Sequence, residues 1–264
     1  MRLHVRIVSL ILLVCLWATV ARGQALGEAF STSAVLVSYK PTAQGLISGS
    51  GFIVFHESQR GVQVLIPGVE PKTGFYFLVT NKHVIPPVGR RLQVTIRVQT
   101  RQSDQTQVRN LTLDIMATDG RYLPSVRLHP SSDVDVAVID ITKVAVEKQI
   151  YMGLLSSDLL ITKEQLRAAE IRIGDEIYLL GYPDAIFDPR NVSPLLRMGV
   201  ISTDPREGWA FNEKLRHDYG LPAKLDGFLI DANVFPGSSG SMVVLRPQPS
   251  YSYKGGGLRL RTSA

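Results

Sequence analysis

Three segments hold residue types that together can drive nucleophilic acyl transfer: FLVTNKHV (77–84) with His83, DVDVAVIDI (133–141) with Asp135, and FPGSSGS (235–241) with Ser239. A serine hydroxyl is a weak nucleophile until a neutral imidazole takes its proton, and the imidazole works best when a carboxylate fixes its tautomer. All three groups are present, in the chain order His, Asp, Ser. That order discriminates among the unrelated folds that use such a triad. An α/β-hydrolase needs its histidine after the serine, whereas the last histidine here is His217, before Ser239. The subtilisin order needs an aspartate before the histidine, and no aspartate precedes Asp104. With His83 as the base, both arrangements are excluded.

His83 follows an apolar strand pattern and precedes Val84-Ile85-Pro86-Pro87, which puts it at a strand end where a turn exposes its ring. Asp135 alternates with Val134, Val136 and Val138 at the start of a half-buried strand, where a carboxylate needs a partner such as an imidazole N–H. Gly237 and Gly240 flank the serine and let the backbone turn tightly. The amides of Gly237 and Ser239 can then point at one spot beside the serine oxygen, as an oxyanion hole requires.

The elements that must position these groups read as β-structure. Apolar residues recur with period two or in short runs at 34–39, 51–55, 62–66, 75–79, 92–98, 111–116 and 134–141, and again at 171–173, 176–180, 195–202, 227–232 and 241–245. Short strands separated by Gly, Pro and polar turns predict closed or sandwiched sheets. One helix is expected over 162–170, where Thr162 and Gln165 have capping-box spacing. The expectation is an all-β protein of two packed antiparallel barrels with a short connecting helix. Residues 24–150 form the first barrel, bearing His83 and Asp135, and 151–264 form the linker helix and the second barrel, bearing Ser239. The site falls between them, and such interfaces favour binding pockets.

With these motifs in place, the chain resembles the trypsin-like, chymotrypsin-fold serine proteases, and within them the bacterial secreted branch that includes HtrA-type protease domains. SGSGFIV (48–54), FLVTNKHV, DVAVIDI (135–141) and DANVFPGSSGS (231–241) carry the likeness, with LLGYP (179–183) and RMGVIS (197–202) as weaker support. The resemblance implies two six-stranded barrels. It implies His83 as general base, Asp135 as its orienting carboxylate and Ser239 as nucleophile, with the amides of Gly237 and Ser239 as oxyanion donors. It also places Asn233, six residues before the nucleophile, at the floor of the primary specificity pocket, where an uncharged side chain argues against a strong preference for Lys or Arg. The expected substrate is a polypeptide, and no cofactor or metal is expected. Two departures stand out. Ser238 replaces the aspartate that animal digestive relatives carry just before the nucleophile, so their activation by a new N-terminus is not expected here. After Ser239 only 25 residues follow, rich in Pro, Gly and basic residues, with Leu258 and Leu260 able to form one short edge strand. This predicts a second barrel left incomplete at its C-terminal end, or a chain truncated or altered there. The rival expectation is therefore a catalytically incompetent binding module of the same fold with incomplete pocket walls.

Composition narrows the class further. The 264 residues, 45% hydrophobic and 20% charged, can bury a sizeable core. Residues 1–23 differ: Arg2 and Arg6 precede an apolar run from Ile7 to Trp17, with small residues at Ala18, Ala21 and Gly23. This is a secretory signal pattern, with cleavage expected after Ala21 or Gly23, no stable membrane anchor, and a secreted or periplasmic destination. The one cysteine, Cys15, lies inside it, so the mature chain has neither disulfide nor thiol nucleophile. Removing that segment takes away Arg2, Arg6 and Arg22 and no acid, which lowers the net charge from +6 to +3 and gives little reason to expect nucleic acid as a partner. The remaining histidines, His56, His83, His129 and His217, show no paired metal-ligand spacing.

Overall fold

The computed structural model describes residues 13–14, 30–39, 47–64, 71–85, 91–100, 103–148, 155–183, 186–188, 190–246, 250–254 and 257–261. Its strands are β1 (Leu13–Val14), β2 (Ala34–Tyr39), β3 (Ile47–Val64), β4 (Lys72–Thr80), β5 (Arg91–Thr100), β6 (Ser103–Asp114), β7 (Val126–Leu128) and β8 (Ala137–Asp140). They continue as β9 (Glu176–Gly181), β10 (Leu195–Ile201), β11 (Trp209–Ala210), β12 (Lys224–Leu225), β13 (Ile230–Ala232), β14 (Met242–Leu245), β15 (Ser250–Lys254) and β16 (Gly257–Arg261). The fold is mostly β, with two main sheets. One has seven strands in the order β6-β5-β2-β3-β4-β8-β7, and the other has five in the order β1-β14-β9-β10-β13. Every pairing in the first sheet is antiparallel. In the second, only the two-residue contact of β1 with β14 is parallel.

β3 shows why an uninterrupted apolar run such as GFIVF forms a strand rather than one half of an alternating pattern. Ile53 and Phe55 enter the interior of the first sheet with Val35, Leu78, Leu92, Ile96 and Ile139. Phe52 and Val54 point the other way and pack with Val79, Leu180, Met242 and Val244, which joins the two sheets in one apolar seam. A strand with core on both faces has no polar side to show. The second sheet repeats the device. Ile177, Leu179 and Val243 pack with Ile201 and Phe228 in a core of their own, while their neighbours Leu180 and Met242 face the seam.

Several expectations need correction. The first sheet has seven strands, not six. Runs 51–55 and 62–66 are not two strands: the described part of both lies in β3, which shifts register against β4 between Glu57 and Val62. Residues 171–173 form no strand, because Arg172 N–H bonds the Asp175 carboxylate in a turn. The helix is shorter than 162–170, spanning Lys163–Ala168, but Thr162 caps it and Gln165 closes the capping box. Helices Thr142–Glu147 and Glu213–Tyr219 were not anticipated. In the tail, Leu258 and Leu260 lie not in a lone edge strand but in β16, paired with β15 as a separate two-stranded sheet. Of residues 1–23, only Leu13 and Val14 are described, so the expected cleavage sites at Ala21 and Gly23 lie outside the described residues. No helix among the described residues is long and apolar enough to cross a membrane.

Candidate active site

His83 lies in a single 3-10 turn, Lys82–Val84, that ends β4. The turn buries Val84 and Ile85 in the first core and leaves the imidazole outside, its side chain 57% exposed. Asp135 comes from the turn that leads into β8, two residues before the strand begins. That turn is fastened to the histidine turn: Asn81 Nδ2 donates to the Asp135 carbonyl at 2.5 Å, and Lys82 Nζ donates to the Ser131 carbonyl at 2.6 Å. The Asp135 carboxylate then receives the His83 backbone N–H at Oδ1 (3.1 Å) and meets the imidazole Nδ1 at Oδ2. With its side chain 20% exposed, the carboxylate is screened from water far more than the ring. Paired through Nδ1, the ring keeps Nε2 free to accept a proton.

Ser239 sits in the loop between β13 and β14, built from two overlapping turns closed by Ser238 N–H to Phe235 O (3.1 Å) and Ser241 N–H to Ser238 O (2.9 Å). Pro236 and Gly237 occupy the central positions of the first, the sequence pattern of a type II turn, and Gly237 has φ +81°. Gly240, in the second, has φ +82°, and a Cβ there would overlap the Ser50 carbonyl. Among the described residues the Gly237 and Ser239 amides donate to no backbone acceptor, which leaves both available beside the serine.

Ser50 on β3 ties this loop to the first sheet. Its N–H donates to Ser239 O (2.7 Å), and its carbonyl accepts from Thr80 Oγ1 (2.7 Å). Its buried hydroxyl accepts from Tyr182 N–H (2.7 Å) and donates to Gly237 O (2.9 Å). Gly49, one residue earlier, separates the histidine turn from the serine loop. A Cβ placed there would stand 2.8 Å from the Val84 methyls and 3.3 Å from Ser239 O. The residue after the histidine and the backbone of the serine thus flank one glycine, and no side chain fits between them.

His83 and Asp135 are in direct contact, and the Ser239 backbone is drawn to the same place through Ser50 and Gly49. The Ser239 hydroxyl itself makes no hydrogen bond to His83 among the described residues. Asn233 is exposed, and its carbonyl accepts from Arg197 Nη1 at 3.0 Å. Residue typing singled out neither Ser50 nor Arg197, although Ser50 stood inside the quoted SGSG motif and Arg197 was the lone charge in LLRMGVIS.

The trypsin-like peptidase domain matches residues 49–247 of the chain. No curated protein matches it in sequence. Among solved structures it is similar to Rv3671c from M. tuberculosis H37Rv, the inactive form of a serine-to-alanine mutant, at 18% identity over 87% of this chain and 77% of that one, with a TM-score of 0.38. It is similar also to the scabies mite inactivated protease paralogue S-I1, at 14% identity over 84% of each chain, with a TM-score of 0.37.

Proposed function

Since the chain belongs to the trypsin-like peptidase domain family, we propose that it is a secreted serine endopeptidase that cleaves polypeptides through His83, Asp135 and Ser239. The supporting observation is the His83–Asp135 pair, held by two backbone-directed side-chain bonds and set across Gly49 from the Ser239 backbone.

In the proposed reaction, His83 Nε2 takes the proton of Ser239 Oγ as the oxygen attacks the peptide carbonyl. Asp135 stabilises the imidazolium that results. The carbonyl oxygen becomes an oxyanion facing the Gly237 and Ser239 amides, each donor contributing on the order of 3 kcal/mol to the transition state. Collapse expels the amine, which takes the proton from His83 and leaves an acyl ester on Ser239. Water then adds by the same proton route and frees the enzyme. Asn233 stands by the exposed end of the loop, where a substrate side chain would approach.

Ser239→Ala is expected to lower peptide hydrolysis by about four orders of magnitude or more, and a serine-reactive phosphonate should attach covalently at Ser239 of the wild type. Equal turnover by the two proteins, or no attachment, would refute the reading. A non-hydrolysing binding module is the second reading. What favours it is that β15 and β16 pair with each other and not with the second sheet.

A further inference from the structure

Arg197 occupies an inward position of β10, 7% exposed, while its neighbours Leu196 and Met198 on the outward face are 54% and 52% exposed. The usual pattern of a sheet is inverted at this point: the charge is inside and the apolar side chains face water. The guanidinium ties the start of the nucleophile loop to the residue before Ser239, since Nη1 donates to Asn233 O at 3.0 Å and to Ser238 Oγ at 2.7 Å. Its Nε and Nη2 are buried and have no hydrogen-bond partner among the described residues. No carboxylate pairs with it among the described residues, and burial alone lowers the proton affinity of the group.

A buried cation with no anion and two unused donors is a poor stabiliser; replacing such a group with an apolar residue is often neutral or favourable. Its presence under this loop therefore calls for a functional reason, and position supplies one. Ser238 adjoins the nucleophile, so the charge lies one residue behind the amides offered to the oxyanion. The guanidinium itself is buried, and an uncancelled positive charge behind the loop favours a negative charge forming in front of it.

We propose that Arg197 is a positioning residue of the nucleophile loop: it clamps Asn233 and Ser238 so that the Gly237 and Ser239 amides stay aimed at the oxyanion, and its unneutralised charge adds to their pull. This rests on the endopeptidase reading of the site.

The test compares wild type, Arg197→Met and Arg197→Lys by phosphonate labelling resolved into its inactivation rate constant and its reversible binding constant, alongside thermal unfolding. Arg197→Met is expected to slow inactivation at least about tenfold, with binding unchanged and a Tm equal to or above that of the wild type. Arg197→Lys, which keeps the charge, should recover part of the rate. Labelling of Arg197→Met at the wild-type rate would overturn the proposal while leaving the endopeptidase reading intact. So would an Arg197→Lys protein of wild-type Tm that labels no faster than Arg197→Met. Failure of the wild type itself to label would sink both.

Discussion

Deleting one buried oxygen offers a severe test of how the serine loop is held. Ser50→Ala leaves the fold of β3 unchanged but removes the hydroxyl that accepts from Tyr182 N–H at 2.7 Å and donates to Gly237 O at 2.9 Å. Ser50 is 0% exposed, so water has no ready route to replace it. A buried partner left without its bond costs about 1–3 kcal/mol. The two partners differ in that Tyr182 is 1% exposed whereas Gly237 is only half-buried. Taking the upper half of that range for the amide and the lower end for the carbonyl puts the total at about 3 kcal/mol. For a chain of this size, about 3 kcal/mol corresponds to a Tm about 6–12 °C lower in a reversible thermal melt. The phosphonate labelling rate should fall as well, because the same hydroxyl fixes the Gly237 carbonyl and with it the turn that carries the Gly237 and Ser239 amides. A Ser50→Ala protein melting within about 1 °C of the wild type would refute the bridging role of this oxygen.

Asp135→Asn should keep the hydrogen bond from the His83 backbone yet stabilise the wrong imidazole tautomer, lowering peptide hydrolysis about 10⁴-fold with little change in Tm; an activity within tenfold of wild type would count against the pair. Gly240→Ala forces a side chain onto φ +82° and into the Ser50 carbonyl, so unfolding in urea should show a loss of about 3 kcal/mol or more. Arg206 holds the Asp204 carboxyl down at about 2, through side-chain and then backbone hydrogen bonds. Because that pKa is depressed on folding, any stabilisation from the pair is present above the ordinary carboxylate range and is lost as pH falls through about 2. An NMR titration of the side-chain carboxyl should find that midpoint, and Arg206→Gln should return it towards 3.8.

Much of this was legible from residue types because period-two burial is a local property. The alternation in LQVTIRV places Leu92, Val94 and Ile96 in the first core as a strand requires. The Thr162–Gln165 capping box is likewise settled within four residues. Non-local bonds were not legible. Ser50 matters because its hydroxyl meets Gly237, 187 positions away, and no pattern in SGSG announces that. Arg197 was hidden for the opposite reason: in an alternating run a lone charge reads as the solvent side, and here the tertiary contacts reverse the faces. In 134–141 the strand begins only at Ala137: the His129 N–H to Val136 O bond is the last in register with β7, and the Asp135 carbonyl is taken by the Asn81 side chain. The tail hairpin was missed because Pro247 and Pro249 just before it, and the glycines and basic residues within it, outweighed the short alternation in SYSY and LRLR.

The apolar seam of Phe52, Val54, Val79, Leu180, Met242 and Val244 has a consequence for how the molecule can be divided. Each half supplies only one wall of it, so severing the chain between the halves would strip a greasy flank from both pieces at once. The halves are thus better regarded as mutual templates than as beads on a string. It follows that β4, which leads into the imidazole turn, and β14, which follows the serine loop, share one packed seam through Val79 and Met242 rather than meeting across a hinge.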